Sequence, residues 1–170
     1  MYDKFGEFAS VEELNRAAAA QKAEGDEEAL IALAEENGID KDDALDYMDD
    51  CVEELATPLM AALGKLKVEK EDLKLEGILK DWAEEIEAMC TENIGLCRAV
   101  REKGKDLAGY LAMTAEAGFK NAATVDPKIV QRTSRQIRNI VGNHPLKIGV
   151  PDKLTRRYLI REYYLGKEGA

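Results

Sequence analysis

The sequence predicts an all-α protein: a compact bundle of about eight or nine short helices, in one body or two lobes, with a short extended or hairpin segment near residues 146–150. Three observations carry this. Ala, Leu, Glu and Lys are abundant while only 6% of residues are aromatic, and such side chains lose little rotamer freedom in a helix. Apolar residues recur at three-and-four spacing in one segment after another. Capping signals then punctuate the chain at short intervals. With 170 residues, 45% of them hydrophobic, the chain is long enough to bury a core.

Ser10 and Glu13 make an S-x-x-E box that opens a helix through Asn15 and the run Ala17 to Ala20, ending near Gly25. Asp26 caps a second helix with Leu30, Ile31 and Leu33 apolar. It should stop at "ENGI", where Gly38 takes the left-handed conformation and Ile39 folds back. Asp40 caps a third, from Lys41 to about Leu55. Thr57-Pro58 starts a fourth, with proline at the tolerated first position and Gly64 weakening its end. Leu75, Ile78, Leu79, Trp82, Ile86, Met89 and Cys90 define a fifth by their spacing. Shorter helices are expected from Leu96 to Lys103 and from Asp106 to Ala117, on either side of Gly104. Asp126-Pro127 opens a helix running to Val141, which "GNHP" breaks; "LKIGV" is β-like, and Asp152 caps a last helix through Tyr164.

Charge is distributed unevenly. The net charge of −10 divides into 27 acids against 9 bases up to Cys97, net −18, and 7 acids against 15 bases from Arg98 onward, net +8. An acidic helical lobe (1–117) and a basic C-terminal lobe (118–170), packed as one unit, are therefore expected, with distinct electrostatic partners or with each other as partner.

The stretch "GIDKDDALDYMDD" places six aspartates in thirteen residues. It does not fit a calcium loop. Counting from Asp40, positions 5, 6 and 12 are Ala44, Leu45 and Cys51, where an EF-hand needs an oxygen ligand, a glycine and a glutamate. Read as a helix it makes sense: Leu45, Met48, Val52 and Leu55 form an apolar stripe, and Asp42, Asp46, Asp49 and Glu53 a second one, widened by Asp43, Asp50 and Glu54. Acids in the first turn suit the helix dipole, whereas Asp49, Asp50, Glu53 and Glu54 crowd its negative end. The acids from Asp40 to Glu54 fall about 3 Å apart along a helix, close to the spacing of about 3.4 Å between phosphates of one DNA strand. Two readings stay open: a solvated face, or a face that occupies a partner's basic surface.

At the other end, Lys128, Arg132, Arg135 and Arg138 lie on one predicted helix, the first three on the side away from Ile129, Ile137 and Ile140. Lys153, Arg157 and Arg161 repeat every four residues on the last helix, with Arg156 beside them and Tyr158, Tyr163 and Tyr164 interleaved. Such faces suit phosphate contact and base stacking, DNA or RNA being the direct partner. They also suit protein interfaces or pairing with the acids of the first half.

Several classes are excluded. No apolar run approaches the roughly 20 residues that span a bilayer, and "MYDKFGEFAS" has no signal-peptide pattern, so a cytoplasmic protein is expected. Cys51, Cys90 and Cys97 form no disulfide framework and fall on or beside apolar helical positions. His144, in a Gly-Asn-His-Pro turn, is the single histidine, and no Ser/His/Asp set, Cys/His zinc spacing or phosphate-cradling glycine loop appears. No catalytic residue, metal or cofactor is expected.

The run "GDEEALIALAEENGIDKDDALDYMDD", followed by "ELATPLMAALGKLKVE" and the closing "REYYLG", resembles small accessory proteins of phages and conjugative elements of Gram-positive gut bacteria. These include anti-CRISPR inhibitors of the type II RNA-guided nuclease. The resemblance covers most of the chain, rests on capped helices, and carries no binding residue over to a position here. It implies an inhibitor whose acidic face occupies the basic channel that holds nucleic acid in such nucleases, while the basic helices touch guide RNA or target DNA. Two other functions remain beside it: a nucleic-acid-binding accessory protein that uses the basic C-terminal helices, and a structural or scaffold interaction protein.

Overall fold

The structure, a computed structural model, describes residues 4–166. Among the described residues ten helices run in the order α1 (Val11–Glu24), α2 (Glu27–Glu36), α3 (Lys41–Met48), α4 (Pro58–Asp72), α5 (Gly77–Cys90), α6 (Ile94–Arg101), α7 (Leu107–Lys120), α8 (Pro127–Val130), α9 (Arg135–Val141) and α10 (Lys153–Leu165). A two-residue ribbon completes the fold: β1 (Ala123–Thr124) pairs antiparallel with β2 (Lys147–Ile148), Ala123 opposite Ile148. The protein is an all-α bundle with one short hairpin.

Most helix starts follow the sequence. Ser10 Oγ accepts from the Glu13 amide at 3.2 Å and the Glu13 carboxylate reaches back to the Ala9 amide. Thr57 caps α4 through the Met60 amide and Asp26 caps α2 through Ala29. Asp40 differs. It stands at the N-cap of α3 but its carboxylate caps no helix amide; it pairs with Lys67 at 3.2 Å instead.

Three helix boundaries depart most from expectation. α3 ends at Met48, seven residues before Leu55. Asp50 adopts φ 59°, and the Cys51 amide donates to Asp46 O at 2.9 Å while that of Asp50 donates to Tyr47 O at 3.3 Å, the bond pattern that closes a helix. Glu53 and Glu54 are thereby carried away from the negative end of the helix, while Asp49, its C-cap, and Asp50 remain there; Val52 sits 43% exposed rather than in the core. α4, by contrast, continues past Gly64 to Asp72. Finally, the segment 127–141 is two helices, because Ser134 turns extended and its Oγ caps the Ile137 amide at 3.3 Å.

The buried side chains fall into two clusters that meet along α4. Val11, Leu14, Leu30, Leu33, Ala44 and Leu55 belong to the first, which ends at Ala61. Leu66, Trp82, Ile86, Leu96, Tyr110 and Ile160 belong to the second, which begins at Ala62. Each fully buried Leu or Ile contributes about 1.5–3 kcal/mol. The seam is polar and satisfied from several sides. Arg101 on α6, 1% exposed, donates to Phe8 O at 3.2 Å and to Asn37 Oδ1 at 2.9 Å. Lys65, also 1% exposed, donates to Glu102 O and Lys105 O, each at 2.8 Å, and lies 3.1 Å from Glu7. Buried charges of this kind are tolerated only when hydrogen-bonded, and here they tie the first cluster to the second.

The chain expected as a basic lobe divides in the structure. α10 packs against α5, α6 and α7, burying Leu159, Ile160 and Tyr164. Residues 119–150 include no buried residue at all.

Candidate interaction surfaces

Residues 119–150 form an arm whose stem is fixed and whose tip is not packed. At the stem the Thr124 region pairs with Lys147, and the Val125 amide donates to Leu146 O at 2.8 Å. Gly118 at the end of α7 and Gly149 touch backbone to backbone: a Cβ on Gly149 would lie 1.8 Å from Gly118 O, and one on Gly118 would lie 2.7 Å from Gly149 O. Only glycine allows this approach. Pro151, two residues after Gly149, is buried. Replacing Gly149 with alanine should therefore release the stem while sparing the core. The Val125 amide should lose at least about tenfold in hydrogen-exchange protection with Ile86 unchanged; full protection at Val125 would show that the stem does not depend on this contact.

The arm carries Lys120, Lys128, Arg132, Arg135, Arg138 and Lys147 against Asp126 alone. Lys120 pairs with Glu116 on α7, and Asp126 accepts from the Lys128 amide at 2.7 Å. Arg138 folds onto the α8–α9 turn, donating to Gln131 O at 3.0 Å and to Thr133 O. Among the described residues Lys128, Arg132, Arg135 and Lys147 form no ion pair. Ile129 and Ile140, expected on a core-facing stripe, are 59% and 74% exposed. The four-residue α8 and seven-residue α9 have no second layer to cover them. A cleft of about 460 Å³ between the short helices and the ribbon is lined by Val125, Val130, Val141 and Leu146, with Arg138 and His144 among its polar residues.

The basic residues of α10 divide differently. Arg156 Nε lies 2.7 Å from Glu85 Oε2 and Arg157 Nε lies 3.5 Å from Glu85 Oε1; Arg156 also donates to Pro151 O at 2.7 Å. Glu85 is on α5 and its side chain is 9% exposed, so these two arginines hold α10 to the bundle. Lys153 and Arg161 are exposed and form no ion pair among the described residues. The tyrosines separate likewise. Tyr164 is buried, and burial raises its hydroxyl well above the usual range. Tyr163 packs edge-on to it, ring centroids 4.9 Å apart, and its hydroxyl accepts from the Asp106 amide at 3.3 Å. Both serve packing, which leaves Tyr158, about half exposed, as the one of the three with an open ring. The four-residue repeat of basic side chains with tyrosines interleaved concealed this division. Its cue was Glu85, an acid flanking the apolar stripe of α5 between Trp82 and Ile86.

The acidic residues are spread over a short helix and the bends that follow it. Asp42 and Asp46 are exposed on α3; Asp49, Asp50 and Glu53 are exposed beyond its end. Asp50 pairs with Lys22 at 2.6 Å and Glu54 accepts from Asn15 Nδ2 at 3.2 Å. Asp42, Asp46, Asp49 and Glu53 form no ion pair among the described residues.

The other sequence candidates resolve simply. Cys90 and Cys97 are buried; Cys97 Sγ donates to Cys90 O at 3.1 Å, and burial pushes the Cys90 thiol up to about 12, which suppresses the reactive thiolate. Cys51, expected beside an apolar position, is exposed because α3 ends before it. His144 is exposed in its turn. Among the described residues no group of three or more His, Cys, Asp or Glu is placed to hold a metal ion, and no helix is long and apolar enough to cross a membrane. Comparison with protein-family models, curated proteins and solved structures found no match to this chain.

Proposed function

We propose that this is a non-enzymatic, cytoplasmic binding protein, an accessory of a phage or other mobile element, that inhibits a nucleic-acid-handling complex. The specific complex proposed is a type II RNA-guided nuclease. One observation carries the binding reading. The acidic residues around α3 and the basic residues of the arm lie on different elements, and no ion pair among the described residues joins them. Charge that a fold does not neutralise internally remains available to a partner and sets its long-range field. The nuclease itself comes from the sequence resemblance, and its basic nucleic-acid channel is the complement of the acidic face.

The test is a titration of the protein into DNA cleavage by preassembled type II effector and guide, at two salt concentrations. Inhibition near stoichiometry is expected. Neutralising the acidic face with Asp46→Asn, Asp49→Asn and Glu53→Gln should weaken inhibition about tenfold and flatten its salt dependence. Equal potency of that variant would remove the acidic face from the mechanism, and no inhibition by the wild type would overturn the nuclease reading. The exposed arm favours a second reading, direct nucleic-acid binding, in which affinity for free DNA falls steeply with salt.

A further inference from the structure

We infer that the arm, residues 119–150, binds the sugar-phosphate backbone of a nucleic-acid duplex through Lys128, Arg132, Arg135 and Lys147. The inference deepens the reading above by naming what the arm touches within a nucleic-acid-handling complex.

The cations themselves are the first ground. Arg135 begins α9, Arg132 lies in the turn before it, Lys128 is on α8 and Lys147 is on the ribbon. All four are exposed and none has an ion-pair partner among the described residues, so contact with phosphate breaks no existing pair. The second ground is exposed apolar surface. Ile129, Ile137, Ile140 and Ile148 are open on the same arm, and a segment that served solubility alone would not carry them. They provide the non-polar contact with sugars that accompanies phosphate contacts in a packed interface. The third is mechanical. The glycine-on-glycine stem and the paired ribbon present the arm from a fixed base, and Arg138 holds the α8–α9 turn through Gln131 O and Thr133 O. Pre-ordering of this kind lowers the entropy lost on binding.

The aromatic content decides between duplex and single strand. Beyond Phe119 at its root the arm has no Phe, Tyr or Trp. Proteins that hold single strands stack bases on such rings, whereas duplex contact needs only charge and hydrogen-bond donors on the backbone. The arm is equipped for the second and not the first. The remainder of the molecule carries net −15, the whole chain being −10 and the arm +5; it keeps the rest of the surface off the duplex and gives the contact one orientation.

The experiment is fluorescence anisotropy with a labelled 20-base-pair DNA duplex, an RNA–DNA hybrid of the same length and the matching single strand, at about 50 and 200 mM salt. Four phosphate contacts predict a loss of duplex affinity of about 100-fold between those concentrations. The arm variant Lys128→Gln, Arg132→Gln, Arg135→Gln, Lys147→Gln should bind at least about tenfold more weakly at low salt, with a log–log slope about 3.6 shallower. The variant Arg16→Gln, Lys41→Gln, Lys80→Gln, Lys103→Gln makes the same change in net charge elsewhere and should bind as the wild type does. Circular dichroism establishes that both variants are folded. Equal loss in the two variants, preference for the single strand, or no duplex binding by the wild type at low salt would each overturn the inference. Stronger binding to the hybrid than to DNA would place the contact on the guide–target heteroduplex. Since nuclease inhibition is measured separately, a failed inhibition assay and a failed duplex assay are told apart.

Discussion

Gly64→Ala is expected to lower the unfolding free energy by about 2–3 kcal/mol, a fall in midpoint temperature of about 4–12 °C for a chain of this size. The sign is informative because intrinsic helix propensity runs the other way: alanine in a helix interior is favoured over glycine by about 1 kcal/mol. Gly64 lies inside α4 and is buried. A Cβ there would stand 2.3 Å from Asn37 O and 3.3 Å from Gly38 C, and the reciprocal Cβ on Gly38 would stand 2.2 Å from Gly64 O. Both obstacles are backbone and cannot rotate aside. Nor can the loop retreat cheaply. Gly38 holds φ 72°, Ile39 is buried beside it, and Asn37 is fixed by its own bond to Leu33 O at 2.8 Å and by Arg101 at 2.9 Å. Separating α2 from α4 would disturb all three. Urea unfolding of the two proteins measures the difference, and an alanine variant as stable as the wild type would mean that this crossing is looser than the structure has it.

The same two glycines show what sequence can and cannot convey. Gly38 announces itself: an apolar helical run, then "NGI", is a local pattern for a left-handed stop with the next apolar residue folded back, and the Ile39 amide does donate to Ala34 O at 2.9 Å. Gly64 carries the opposite local message. Inside a helix it reads as a weak point, because propensity records the cost of glycine and is silent about a neighbouring backbone 26 residues earlier in the chain. Ser10, Asp26 and Thr57 were legible for the reason Gly38 was: a cap acts within three residues of itself. Asp50 and Lys74 were not, since each ends or follows a helix at positive φ, 59° and 50°, where residues other than glycine are uncommon.

The candidate surfaces were legible as composition and less so as geometry. The charge asymmetry and the identity of the basic residues are plain in the sequence. Which cations stay free depends on tertiary partners: Glu85 takes Arg156 and Arg157, while Arg132 and Arg135 are left to solvent. Periodicity alone assigned Ile129, Ile137 and Ile140 to a core. It could not register that the chain leaves the bundle at Gly118 and returns at Gly149, so that no second layer exists to cover them. Lys147 went unremarked in a segment read only for its backbone conformation. Surface, in this chain, is determined by where two glycines let the backbone cross.

A pH titration of stability should expose the buried carboxylate at the seam. Glu69 on α4 is 4% exposed. Its Oε2 accepts from the Leu107 amide at 2.8 Å, at the start of α7, and its Oε1 lies 3.7 Å from Lys65 Nζ. Burial raises its pKa from 4.5 to about 7, outweighing the opposing pull of Lys65 and of the Leu107 amide. In the unfolded chain the carboxyl ionises through the ordinary value; in the folded chain it keeps its proton to near neutrality. Between those limits the folded state binds more protons, so stability falls as pH rises, and it levels off above about 7. The contribution is fully present below 4.5 and is worth about 3 kcal/mol by the time it is lost. Glu69→Gln keeps the shape and an acceptor for Leu107 but has nothing to ionise. Its stability relative to wild type should therefore rise by about 3 kcal/mol from pH 4.5 to pH 8. Subtracting the two curves removes the other carboxylates, including exposed Glu12 and Asp152, whose hydrogen bonds to backbone amides lower their pKa and act in the opposite sense. Parallel curves would mean that Glu69 ionises in the fold as it does in water. In that case the Lys65 ammonium, already bonded to Glu102 O and Lys105 O, would be compensating the carboxylate more fully than its 3.7 Å separation implies.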